Sequence, residues 1–392
     1  MRRIMNEMIR RMGIRRGFAR ALVRVTWLAA GLALIGMTGS AAQAQTLLTA
    51  YAKYPRIRLL PSGELIASVL AFDGGVEKVK IFSSTNNGAS FTHVGTINDA
   101  NFTALGSSSP SLFYVEQQVG TALPKGTLIL GIVVDKKECT SCRARINIYK
   151  STDTGRSWTF LSEAVRSATS GGLWEPDFSL AKDGSIVMHY ADESSPCCDQ
   201  KLVRRRTSNG VEWVGHSNTV ALGTSSKDYR RPGMPVVSKL NNGNYLLTYE
   251  ICGAGHNCDH YYKISSDGWD YGATDTEGTR MQDALGRYFT NTPVNKVLPG
   301  GAILWIGQYL RVQNGNASNN NGLTIFKSAN GSPNGPWTEI PAPVTLPNPV
   351  TDGCEGFTPG LQWVNGGATL VQLQTRAENG TCNVYFGTGP TN

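Results

Sequence analysis

The 392-residue sequence carries 37 Lys and Arg against 29 Asp and Glu, and 40% hydrophobic content with 17% charge excludes a disordered chain. Residues 1–44 hold eight of the arginines and one acid, which leaves residues 45–392 with 29 basic and 28 acidic side chains. A body this close to neutral has no general pull on phosphate backbones, so a nucleic-acid partner is set aside.

The chain opens on an Arg-rich stretch, followed by an apolar run from Val25 to Met37 and then Ala42-Gln43-Ala44. That order is the pattern of a secretory signal peptide, with cleavage expected after Ala44. The apolar run is short for a membrane span of about 20 residues. Residues 45–392 are therefore expected to form one exported domain that works away from the membrane. All eight cysteines lie in this part, and an even number in an exported chain implies disulfides. Cys252–Cys258 and Cys354–Cys382 are expected pairs, with 139/142 bridging to 197/198. His256-Asn257-Cys258-Asp259-His260 holds zinc-type ligands, but it reads as a Gly-rich loop, whereas an HxxxH pair needs a helix to aim both rings one way.

Prolines 55, 176, 235, 293 and 359 are each followed after eight positions by a glycine and then an apolar run. A sixth copy starts at Pro110 and reaches Gly126 through a longer loop. Each copy reads as strand, Gly turn and buried strand. Six such hairpins in this length predict an all-β, six-bladed propeller of four-stranded antiparallel blades. A second motif alternates with the first. Ser151-Thr152-Asp153-Thr154-Gly155-Arg156-Ser157-Trp158 is an Asp box, with looser copies at Ser84, Thr207, Ser265 and Ser328. These are structural turns in which the Asp or Asn binds backbone amides. Placed between strands 3 and 4, a box is missing from the last blade because the chain ends first. That blade's third strand is expected near Cys382–Gly387, and its fourth from Thr46–Lys53, closing the ring.

This topology puts residues just before each repeat proline, and just after each second strand, on one face around the channel. The candidates there include Arg56, Trp174, Glu175, Arg231, Glu250, Tyr309 and Arg376, together with Tyr54, Asp73, His189, Asp192, Asp352 and Glu355. Acids, arginines and aromatics converging on one mouth suit a carbohydrate. Glu175 and Glu250, on adjacent blades with apolar neighbours, are the sharpest pair for acid and nucleophile or base roles in glycoside cleavage. The bland alternative is that each pairs with an arginine such as Arg231 to lock a strand end.

The Asp boxes and Arg56-Ile57-Arg58-Leu59 resemble the sialidase superfamily of propellers. Leu173-Trp174-Glu175-Pro176, Arg231-Pro232-Gly233-Met234-Pro235 and Tyr249-Glu250-Ile251-Cys252-Gly253 resemble glycoside hydrolase family 93. That resemblance implies a retaining exo-α-1,5-L-arabinanase releasing arabinobiose from linear arabinan. Glu175 would be the nucleophile and Glu250 the acid/base, and no metal or cofactor would be needed. Arg56, Trp174, Arg231, Tyr309 and Arg376 are the substrate contacts expected from topology. A monomer suffices for this chemistry. The rival readings are an exo-α-sialidase, which would need three arginines around a carboxylate, and a non-catalytic sugar-binding propeller.

Overall fold

In the computed structural model, the described residues are 45–136, 139, 141–223, 229–347 and 349–392. The expected signal peptide lies outside them. Six antiparallel sheets follow one another along the chain. Their first strands are Ala52–Leu59, Ser107–Tyr114, Leu173–Leu180, Arg231–Lys239, Val294–Val297 and Gly360–Val364. All six contribute to the wall of one central channel, so the expected six-bladed propeller is the observed fold. Each first strand leads through its Gly turn into a second strand such as Leu65–Asp73 or Leu128–Val134, the latter buried at every position. Burial on both faces is why these second strands are continuous apolar runs.

The cores lie between blades. One cluster packs Ile129, Ile146 and Val133 of blade 2 on Phe178, Met188 and Tyr190 of blade 3. Another spans blades 4 to 6 around Trp305, Phe326, Leu246 and Leu370. Each such large side chain contributes about 2 kcal/mol on burial, so no blade is stable without its neighbours.

The ring closes where Thr46–Thr49 pairs with Thr381–Pro390 in blade 6, Thr46 opposite Phe386. The closing strand is shorter than expected, because Ala52 and Lys53 already belong to the first strand of blade 1. The five boxes follow the third strands. In the box at Ser151, the Asp153 carboxylate accepts the amides of Arg156 and Ser157 at 3.1 and 2.9 Å. Blade 4 departs from the regular pattern. Beyond His256–Ser265 it has no long fourth strand, and short strands at Thr279–Arg280, Tyr288–Thr290 and Tyr309–Arg311 extend the sheet instead.

Four disulfides join 139 to 142, 197 to 198, 252 to 258 and 354 to 382. The last two pairs are the expected ones. The expected bridges from 139/142 to 197/198 are not formed, because each cysteine takes the partner within its own loop, with Cα atoms 5.3 and 3.8 Å apart. By strand direction all four disulfides lie on the face where first strands begin, and the boxes lie on the opposite face. Among the described residues, no helix is long and apolar enough to cross a membrane.

Candidate active site

The residue before each of the six repeat prolines has a left-handed backbone. The φ values are 58° at Tyr54, 54° at Ser109, 60° at Glu175, 54° at Met234, 49° at Thr292 and 52° at Thr358. Such conformations cost about 1–3 kcal/mol each outside glycine and persist only where the surroundings impose them. In blades 1 to 4 the pairing register slips at this point, at Lys53/Arg56, Ser108/Ser111, Trp174/Asp177 and Gly233/Val236. A bulge of this kind re-aims a side chain. Here six bulged or pre-strand residues meet around the channel mouth. The Tyr54 hydroxyl donates to Met234 Sδ at 3.4 Å, and the Thr358 amide donates to Thr292 Oγ1 at 3.2 Å.

Both candidate glutamates are tied into this ring. The Met234 amide donates to Glu175 Oε2 at 2.6 Å, and the Thr292 amide donates to Glu250 Oε2 at 2.6 Å. Glu250 stands opposite Gly233 in the sheet register. A methyl group placed on Gly233 would lie 3.0 Å from Glu175 Oε2 and 3.8 Å from Glu250 Oε1. Both carboxylates therefore border Gly233, where even a methyl group would crowd Glu175 and would lie 2.8 Å from Gln200 Nε2.

Among the described residues, neither glutamate has an ion-pair partner. Arg231, the arginine that might have neutralised one of them, is held by Glu193, by Asp199 at 2.7 Å and by Gln200 at 2.6 Å. The strand-locking pair thus exists, but with other carboxylates. Burial raises both carboxyls above the usual range. For Glu175 the Met234 amide, Arg231 and Arg56 pull back toward ionisation. For Glu250 the charge of Glu175 raises the value further, and only the Thr292 amide opposes. These surroundings favour the proton on Glu250 and the charge on Glu175.

This has a consequence for stability. The folded value for Glu250 is about 8, against about 4.3 for an unfolded glutamate. Between those values the unfolded chain releases the proton first, so stability falls as pH rises through the window. Glu250→Gln is expected to raise the Tm more at pH 8 than at pH 5, as read by thermal unfolding at the two pH values.

The remaining candidates divide. Arg56 lies on the ring, its guanidinium 5.1 Å from the Tyr54 ring centre, and its charge reaches Glu175. Trp174 is half-buried beside the core cluster of blades 3 and 4, its indole against Gly172. Tyr309 is not at the end of the second strand of blade 5, which stops at Ile306. It pairs instead with Thr290 in the extended sheet of blade 4. Arg376 is turned away from the glutamates, to Gln45 at 3.1 Å and Glu378 at 3.3 Å. Its neighbour Thr375 bonds the Phe357 carbonyl instead, and strand alternation sends the next side chain outward.

His189 is buried inside the sheet opposite Asp177, and Asp73 is exposed and paired with Lys78 and Lys80. Asp192, Asp352 and Glu355 accept backbone amides of Ser194, Cys354 and Ala377. Met234, Thr292, Gly233 and Gln200 are the site residues missing from the sequence reading. The repeat prolines mark the first two, since each directly precedes one.

Glu250, Cys252 and Cys258 come close enough to resemble a ligand cluster. The two cysteines are joined in a disulfide, so neither offers a thiolate. His256 and His260 lie on a strand rather than in a loop. His260 accepts from Trp305 Nε1 at 2.8 Å and faces the Asn291 carbonyl at 3.0 Å, while His256 contacts Glu277 and Tyr261.

No protein-family model matches the chain, and no curated protein sequence matches it. Solved structures do. An α-L-arabinanase of Penicillium chrysogenum, complexed with arabinobiose, is 24% identical with a TM-score of 0.72, covering 87% of this chain and 97% of that one. A family 93 α-L-arabinofuranosidase of Fusarium graminearum with arabinobiose is 20% identical with a TM-score of 0.71, covering 87% and 93%. A Fusarium graminearum α-L-arabinofuranosidase with an iminosugar inhibitor is 18% identical with a TM-score of 0.73, covering 89% and 98%. The chain has the fold of these arabinanase and arabinofuranosidase structures along nearly their whole length.

Proposed function

We propose that the protein is a secreted exo-α-1,5-L-arabinanase that releases arabinobiose from linear arabinan with retention of configuration. The observation that carries this reading is the pair Glu175 and Glu250, without an ion-pair partner among the described residues and both bordering Gly233 at the channel mouth. Two carboxylates with environments that separate their proton affinities are what glycoside cleavage requires. The fold shared with arabinobiose-binding enzymes supports the choice of sugar. The four disulfides and the Arg-rich, then apolar, leader support export.

In this mechanism, ionised Glu175 attacks the anomeric carbon as the bond to the leaving oxygen breaks. Glu250 gives its proton to that oxygen. A water molecule then attacks the same carbon, losing a proton to Glu250, and the ester to Glu175 breaks. Arg56 and the Met234 amide favour the ionised form of Glu175 between turnovers. A sialidase is disfavoured because its three arginines do not assemble: Arg376 faces Gln45 and Glu378, and Arg231 is already bound by two carboxylates.

The experiment is digestion of linear arabinan beside a sialoside, with products separated by chromatography and the anomer first formed read by NMR. Arabinobiose of retained configuration as the first product is expected. Sialoside cleavage, or an inverted product, would overturn the reading.

A further inference from the structure

The two glutamates occupy only one end of the channel. Its other end, on the Asp-box face, opens into a cavity of about 830 Å³ lined by residues from all six first strands. The charges along it do not balance. Arg56, Arg58 and Lys296 line it together with Asp177. Arg58 is 3.8 Å from Asp177, whose other oxygen accepts the Val237 amide at 2.9 Å. Half-buried Lys296 has neither a hydrogen-bond nor an ion-pair partner among the described residues, although desolvation disfavours its charge. Nearer the rim, Lys125 and Lys239 outnumber Glu116, and Trp363, Tyr245 and Phe113 supply aromatic wall. A cation partly withdrawn from water and only partly compensated, here by Asp177 and Glu116 at longer range, is costly, and a bound anion offsets that cost.

We propose that this end of the channel is a second ligand site, which takes a carboxylate or phosphate group carried on a molecule of up to disaccharide size. Lys296 and Arg58 contact the anionic group, and the aromatic wall contacts the rest of the ligand. The site is separate from the glutamates and does not depend on the arabinan reading. The charges that act on Lys296 are Arg58 of blade 1, Glu116 of blade 2 and Asp177 of blade 3, while Lys239 of blade 4 and uncharged Gln362 and Trp363 of blade 6 line the same cavity. Burial, reinforced by Arg58, pushes the Lys296 ammonium down to about 7. A bound anion therefore draws a proton into the site at pH 7.5.

The test is calorimetric titration of the mature protein with galacturonate, inorganic phosphate and neutral galactose, in a low-salt, chloride-free buffer. Saturable binding of galacturonate or of phosphate is expected, weaker by at least about tenfold in Lys296→Met and unchanged in Glu175→Gln. Repeating it in buffers of different ionisation enthalpy should reveal proton uptake that Lys296→Met lacks. Whichever anion binds more tightly identifies the group the site takes. Lys296→Met removes a half-buried charge without an ion-pair partner among the described residues, so its Tm should not fall below wild type. Failure of both anions to saturate the protein, equal binding of galactose, or undiminished binding in Lys296→Met would overturn the proposal.

Discussion

Replacing either glutamate should abolish arabinan hydrolysis, but the two variants should fail at different steps. For Glu175→Ala the expected loss in kcat is on the order of 10⁴ or more, because no covalent intermediate can form. For Glu250→Ala it is about 10²–10⁴, the range of general acid–base catalysis. The two separate on an aryl arabinoside whose leaving group departs without a proton. With Glu250→Ala, the first step on that substrate should survive as a burst of phenolate, and azide should restore turnover to give a glycosyl azide of retained configuration. With Glu175→Ala there should be no burst, and any azide product should be inverted. The unequal environments support this assignment. The Met234 amide, Arg231 and Arg56 all favour charge on Glu175, whereas Glu250 has one amide and a like charge facing it. A burst from Glu175→Ala, with none from Glu250→Ala, would reverse the roles.

Gly233→Ala should be nearly as damaging to catalysis while leaving the fold intact. Gly233 is not among the glycines with positive φ, so alanine meets no backbone penalty there. Its methyl would crowd the neighbouring side chains, 3.0 Å from Glu175 Oε2 and 2.8 Å from Gln200 Nε2. The methyl therefore displaces the Glu175 carboxylate or the Gln200 amide, and a displacement of about 1 Å in a reacting group can cost 10²-fold in rate. We expect kcat/KM to fall by about 10²-fold or more, with the Tm within a few degrees of wild type. Wild-type kcat/KM in a folded Gly233→Ala protein would show that the reacting sugar lies elsewhere.

Much of this site was legible because the repeat is marked by proline. The eight-residue step from proline to glycine, with one longer copy at Pro110, identified six inner strands and put Glu175 and Glu250 on one face. A chain direction and a strand count were enough for that. Arg376 and Tyr309 were harder to place, since a one-residue phase on a strand decides which face a side chain joins. Arg376 falls on the outward phase, and Tyr309 follows a break that hands the chain to a neighbouring blade. Arg231 was placed correctly on the mouth face, but its partners Glu193, Asp199 and Gln200 come from the loop of another blade. No local pattern could name them.

Repeats, turn chemistry and apolar runs determined the propeller, its ring closure and the two candidate carboxylates, because these depend on short-range backbone preferences recurring at a fixed period. Only the tertiary structure decided that Arg231 is occupied elsewhere, that each glutamate accepts a backbone amide from the next blade and that Gly233 packs too tightly against Glu175 for a larger residue. It also separated the near-neutral charge of residues 45–392 into a carboxylate-lined mouth and a cation-rich opposite end. Desolvation and pairing depend on which side chains meet across blades, and sequence spacing does not record those meetings.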